Sequence, residues 1–267
     1  MSTASRRAFL GLVAATAIPA AAARPASAAD KYPSNTALYA DPGLVEGIDY
    51  ARRYRRHEQF DDSLTQKFPF PGTTILAPHG GGIEAGTSEL CHAVAGYHPG
   101  TLQPAPEAGP RHDLWMFEGI RPTHNAELHV TSAHCDDPVA LSLCAGARRA
   151  LGLHGCSPAQ LGLPEGAWAV LVGGRDEPFR RALLTRLGAA GFQVVDGAVH
   201  PTLSGQEPAN IANRTLRGAG GQLELTTGLR DAMFTINTRP ERRNTTTLVF
   251  WNFVAAVRVA IADVVDL

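Results

Sequence analysis

Charge of either sign is scarce in this sequence, and so are cysteine, lysine and aromatic rings. Charged residues make up 18% of 267 positions, and 24 basic against 25 acidic side chains leave a formal net charge of −1. A chain so close to neutral carries no electrostatic footprint for nucleic acid, which excludes that class of partner. The four cysteines (Cys91, Cys135, Cys144, Cys156) include no CxxC pair, which excludes a cysteine-based zinc knuckle. Beyond the first 28 residues no apolar run reaches the roughly 20 needed to cross a bilayer, so no stable membrane anchor is expected. There is no internal repeat, and the excess of arginine over lysine points to no particular partner. What remains is a 44% apolar composition, ordinary for one large globular domain with a substantial core.

Residues 1–28 read as a cleaved export signal: Arg6 and Arg7, a modestly apolar alanine-rich stretch, then small residues at Ala26 and Ala28. Paired arginines followed by Ala8, Phe9 and Leu10 resemble the twin-arginine signal rather than the general secretory one. The expected partner is the twin-arginine export machinery, and the expected location is outside the cell or in the cell-wall space. The mature domain would span 29–267. An oxidising compartment would allow one or two disulfides; the alternative is four small buried thiols.

Short apolar runs between turn signals predict strands buried on both faces. They are TTILAP ending at His79, DLWMFEGI (113–120), AELHVTS (126–132), RALGLHG ending at His154, AWAVLVGG (167–174), FQVVDG (192–197) and GQLELTT (221–227). Helical patterns alternate with them. SELCHAVAGY follows Thr87 or Ser88 as a cap, DDPVALSLCAGARRAL opens on Asp136 and Asp137, and DEPFRRALLTRLGAAG stops at Gly191. A further helix is predicted around DPGLVEGIDYARRYRR, and a last one over TTLVFWNFVAAVRVAIADVV. Alternation of this kind predicts a single α/β domain with a central mixed, mostly parallel sheet flanked by helices. The Pro/Gly stretch 99–110 reads as an exposed loop insertion.

In such sheets ligands bind at the carboxyl ends of strands, and here those ends carry chemistry. In LAPHGGGIEAGTSEL, glycines let the backbone turn sharply between a nitrogen ligand, His79, and an oxygen ligand, Glu84. His154 arrives from another strand tip. Two histidines and a carboxylate are the protein ligands of many catalytic zinc sites, which keep one position open, although such sites accept several divalent metals. Glu224 lies between Leu223 and Leu225 on its own strand, where an unpaired carboxylate would be costly unless it works as a base. The bland alternatives are turn histidines that merely complete hydrogen bonds.

The blocks APHGGGIEAGTSEL, ELHVTSAHCDDP, LGLHGC, VLVGG and NIANRTLRGAGGQLELTTGLR, in this order, resemble the poly-γ-glutamate hydrolase family from about residue 32 to the C-terminal helix. The resemblance implies a fold like that of zinc carboxypeptidases and one Zn²⁺ held by His79, Glu84 and His154, with Glu224 as catalytic glutamate. His129 is then a substrate contact or transition-state donor, or else a satisfied histidine in a buried strand. His134 and Asp137 either line the site or serve as a loop histidine and a helix cap. Arg214 is the first candidate to hold a substrate carboxylate, since guanidinium pairing is bidentate and selective. Asn213 beside it could add a hydrogen bond, and Arg230 is a second candidate.

The sequence departs from the family pattern in its export signal, in the 99–110 insertion, which would alter the rim of the cleft, and in the block Cys135–Pro138. The expected activity is an exported zinc amidase that hydrolyses γ-glutamyl bonds of an anionic γ-linked polypeptide, poly-γ-glutamate. Two alternatives stay open: an amidase or carboxypeptidase of γ-linked cell-wall peptides, and an exported anionic-polymer binding protein whose zinc is structural.

Overall fold

The computed structural model describes residues 30–57, 72–107 and 109–264; the export signal expected over 1–28 lies outside them. Among these residues seven strands form one sheet: β1 (Tyr50–Arg55), β2 (Thr73–Gly81), β3 (Asp113–Gly119), β4 (Arg149–Cys156), β5 (Ala169–Gly174), β6 (Gln193–Asp196) and β7 (Gly221–Thr226). Their spatial order is β1-β3-β2-β4-β7-β5-β6. Contacts β3/β2, β2/β4, β4/β7 and β5/β6 are parallel, while β1/β3 and β7/β5 are antiparallel. The central strands β2, β4 and β7 therefore end on the same side of the sheet, and all the residues of β2 and β7 are buried.

Among the described residues six helices cover the sheet: α1 (Asn35–Tyr39), α2 (Thr87–Ala95), α3 (Pro138–Gly146), α4 (Glu177–Ala189), α5 (Thr227–Ala232) and α6 (Leu248–Ala262). Strand alternation sorts the core into two layers. Ile75, Leu114, Leu151, Leu153, Leu223 and Leu225 pack with α2, α4 and α6. Leu76, Trp115, Phe117 and Ala150 pack with α1, α3 and Ile211 on the opposite face. In α6, Phe250, Phe253, Val254, Val257 and Ile261 are buried at helical spacing, which is why this apolar run is a core helix. Asp137 caps α3 by accepting from Val139 N and Ala140 N, and Asp176 caps α4 by accepting from Phe179 N.

Two expected elements are different. The helix expected over 41–56 is a turn followed by the edge strand β1, whose exposed arginines find partners along the sheet edge: Arg52 with Glu46 and Arg53 with Glu118. The strand expected over 126–132 is a 3-10 turn, Asn125–Leu128, followed by extended chain over 129–131 that pairs with no strand among the described residues, and then by a second 3-10 turn from Ser132. All four cysteines are buried free thiols, so the disulfides envisaged from the sequence are not formed. The 99–110 loop is tied by the Arg111 guanidinium to the carbonyls of Pro106, Glu107 and Gly109. Pro99, Gly100 and Leu102 border a separate cavity near Arg53 and Arg243, whose lining reaches Gly81 at the end of β2 but includes none of His79, Glu84, His154 and Glu224.

Candidate active site

Alternation from Ile75 and Ala77 would aim His79 at α2. Instead the β2–β3 register shifts between Ala77 and Gly80, where β2 carries one residue more than β3. This bulge reverses the alternation and turns His79 to the face that His154 occupies. The glycines after it make the bulge feasible. A Cβ on Gly80 would sit 2.3 Å from Ser88 Oγ, and Gly81 has φ +67 with Gly119 O 2.3 Å from its Cβ position. The chain then folds back, with Glu84 N donating to His79 O, and the Glu84 carboxylate returns to the histidine.

Three side chains bring their donor atoms together there. His79 Nδ1 is 3.1 Å from Glu84 Oε1 and 3.1 Å from His154 Nδ1, and His154 Nδ1 is 3.7 Å from Glu84 Oε2. Tetrahedral zinc with bonds of about 2.0–2.1 Å has donor–donor edges of about 3.3–3.4 Å, so the spacing suits such an ion. The hydrogen-bond directions agree. His79 Nε2 donates to Val130 O at 2.8 Å, which leaves the Nδ1 lone pair facing a carboxylate and a second imidazole. Three lone pairs at this distance repel unless a positive charge, a proton or a metal ion, lies among them. His129 widens the set, since one of its ring nitrogens lies within 4.8 Å of the His79 and Glu84 donors.

The electrostatics reflect this crowding. Burial pushes Glu84 up, but His79, His154 and the Gly155 N–H outweigh it and hold the carboxyl at about 2. Burial pulls His79 down, yet the Glu84 carboxylate and the Val130 carbonyl turn the net shift upward. Burial, then His79, brings His154 down to about 3. Glu224 is pushed well above the usual carboxylate range by burial and by the Glu84 charge, with Gln222 and Arg230 opposing.

Glu224 and Gln222 alternate onto the cleft face of β7. Gln222 Nε2 donates to Glu224 Oε1 at 2.9 Å, and Asn210 Nδ2 donates to Gln222 Oε1 at 2.8 Å. A cleft of about 680 Å³ opens over these groups, walled on its far side by residues 200–207. His200 braces that wall, its Nδ1 accepting from Leu203 N and its Nε2 donating to Gln160 O. Among the described residues lining the cleft are Glu84, Glu207, Glu224 and four histidines, but no arginine or lysine.

His79, Glu84, His154, His129 and Glu224 are thus brought together. The expected carboxylate clamp is not. Arg214 is exposed and does not line the cleft, because Asn213 before it turns inward. The Asn213 amide donates to Gly205 O and Glu207 O and accepts from Gly220 N, so it holds the wall loop and has no donor left for substrate. Arg230 is buried beneath Gly155, bonded to Leu225 O, Ala85 O and Thr227 Oγ1, and its charge supports Glu84 from behind. His134 is exposed and away from the cleft, and Asp137 is the buried cap of α3 that also accepts from Tyr39 Oη. The sequence reading missed Asp30, Ser132, Asn210, Gln222 and the 200–207 wall. Gln222 was within reach, since it lies two residues before Glu224 on the same strand face.

Residues 55–256 match the sequence pattern described as poly-gamma-glutamate hydrolase. The prophage-derived protein YoqZ of Bacillus subtilis strain 168 is 34% identical over 183 residues, 68% of this chain and 59% of YoqZ. YndL of the same strain is 33% identical over 179 residues, 67% of this chain and 63% of YndL. The chain thus spans about three-fifths of the length of these curated relatives. Among solved structures, a bacteriophage poly-gamma-glutamate hydrolase superposes with TM-score 0.71 at 28% identity, covering 88% of this chain and 98% of that one. The zinc-free form of YndL gives TM-score 0.71 at 27% identity, with the same 88% and 98% coverage.

Proposed function

The chain belongs to the poly-gamma-glutamate hydrolase family, and from that premise we propose that it is an exported zinc-dependent amidase cleaving γ-glutamyl amide bonds. The observation that carries this reading is the convergence of His79, Glu84 and His154 at metal-ligand spacing, with Glu224 on the adjoining strand. Those three residues would hold the ion, which supplies Lewis acidity to polarise a carbonyl and activate water. Glu224 does the proton work: with Oε1 engaged by Gln222, Oε2 takes a proton from the attacking water and returns it to the leaving amine nitrogen. Asn210 and Gln222 hold that carboxyl in one orientation. Export through a twin-arginine signal would place the enzyme outside the cell or in the cell-wall space.

One observation favours a second substrate. A cleft lined, among the described residues, by three carboxylates and no arginine or lysine suits a less anionic chain than one bearing a carboxylate on every unit. Peptidoglycan stem peptides with a γ-linked residue meet that description. Incubating the mature protein with poly-γ-glutamate and with purified stem peptides separates the two. Shortening of the polymer supports the first reading, and release of peptide fragments alone supports the second. Cleavage of neither by zinc-loaded, folded protein removes the γ-glutamyl amidase assignment.

A further inference from the structure

The three histidines of the centre each have one ring nitrogen held from outside it, and one short segment takes part every time. His79 Nε2 donates to Val130 O, His154 Nε2 lies 3.3 Å from Ser132 Oγ, and His129 Nδ1 lies 2.7 Å from Asp30 Oδ1. Asp30 is itself fixed by the Thr131 N–H, 2.6 Å from Oδ2. Residues 129–132 therefore supply one histidine, two anchoring oxygens and the N–H that fixes the carboxylate. Histidines at metal centres are held in this way at their far nitrogen, which sets the ring plane and the tautomer.

Asp30 comes from a place the site chemistry would not suggest. It lies 99 residues from His129, outside any helix or strand, yet both of its oxygens are engaged within the same three-residue stretch. The His129 ring lies over that of His79 with centroids 3.9 Å apart. A carboxylate can only accept, so Nδ1 of His129 carries a ring proton, and in the neutral imidazole Nε2 then keeps a lone pair.

We propose that Asp30 is a positioning residue of this centre: it sets His129 in the Nδ1–H tautomer, so that Nε2 presents a lone pair and the N-terminal segment becomes part of the working site. His129 then accepts a hydrogen bond from water or a substrate amide N–H, and does not donate one to a carbonyl. The inference rests on the metal-centre reading above but not on which substrate is cleaved.

Two-bond proton–nitrogen spectra of the mature protein with ¹⁵N-labelled histidine read the tautomer directly, with the signal assigned by its loss in His129→Gln. The wild type should show His129 protonated at Nδ1. Asp30→Asn keeps the shape, but its oxygen must serve Thr131 N–H while its amide donates to His129, so the proton should move to Nε2. The same variant should lose about 10- to 100-fold in kcat, with KM within about twofold and zinc content and Tm unchanged. A wild-type His129 protonated at Nε2, or an Asp30→Asn variant with wild-type kcat, overturns the proposal. The spectra decide it even if no γ-glutamyl substrate is cleaved.

Discussion

His154 and Glu224 stand side by side at paired positions of the parallel strands β4 and β7. The register alone therefore places the proposed base next to a proposed metal ligand, with both side chains on the cleft face. Little loop rearrangement is needed to bring the two functions into contact.

Replacing Glu224 by Gln should leave the ligand set intact while removing the proton acceptor. The expected result is wild-type zinc content and Tm with kcat lower by about 10²–10⁴-fold, checked by metal analysis beside turnover. Activity within threefold of wild type would remove Glu224 from the proton role.

Gln222→Leu should act through Glu224, since it deletes the N–H at Oε1 and the link to Asn210. A fall of about tenfold in kcat with unchanged zinc content is expected, of the size seen when a support behind a working group is lost. Steady-state kinetics of the folded variant checks it.

Glycine at position 155 is required by Arg230. An added Cβ would lie 2.6 Å from Arg230 Cζ, and that guanidinium is tied to Leu225 O and Ala85 O. Gly155→Ala should cost about 1–3 kcal/mol, as other overpacked interiors do, and should weaken zinc retention because Ala85 adjoins Glu84. Denaturant unfolding and metal titration measure the two effects.

Away from the site, His112 is held down at about 4 by burial, then by Arg258. A histidine with a depressed folded pKa is neutral in the fold but protonates in the unfolded chain below about 6.5. Its contribution is fully present above pH 6.5 and is lost as pH falls towards 4, roughly 3 kcal/mol in all. Tm should drop across that window, and His112→Asn should flatten the drop. An identical pH profile in the variant would refute this assignment.

The strands were legible because buried runs such as TTILAP and GQLELT have one environment on both faces, and their tips delivered His79, His154 and Glu224. The rest depended on relations that single-chain patterns do not carry. The bulge that turns His79 into the cleft is a mismatch between β2 and β3, not a property of β2. ELHVTS reads as a strand by its residue types, but its chain serves the histidines instead of a neighbouring strand. Arg214 has the chemistry of a carboxylate clamp, yet it faces solvent because the amide beside it is buried. Residues 41–56 show helical spacing, yet Tyr50–Arg55 complete the sheet edge at β3.

The most direct test of the metal centre is an anomalous difference map, recorded above and below the zinc edge, from crystals of zinc-loaded mature protein. Such a centre should give one strong peak bound by His79 Nδ1, the Glu84 carboxylate and His154 Nδ1, with Glu224 outside the coordination sphere. A zinc-loaded crystal with no peak there, or with the peak held by other residues, would contradict it.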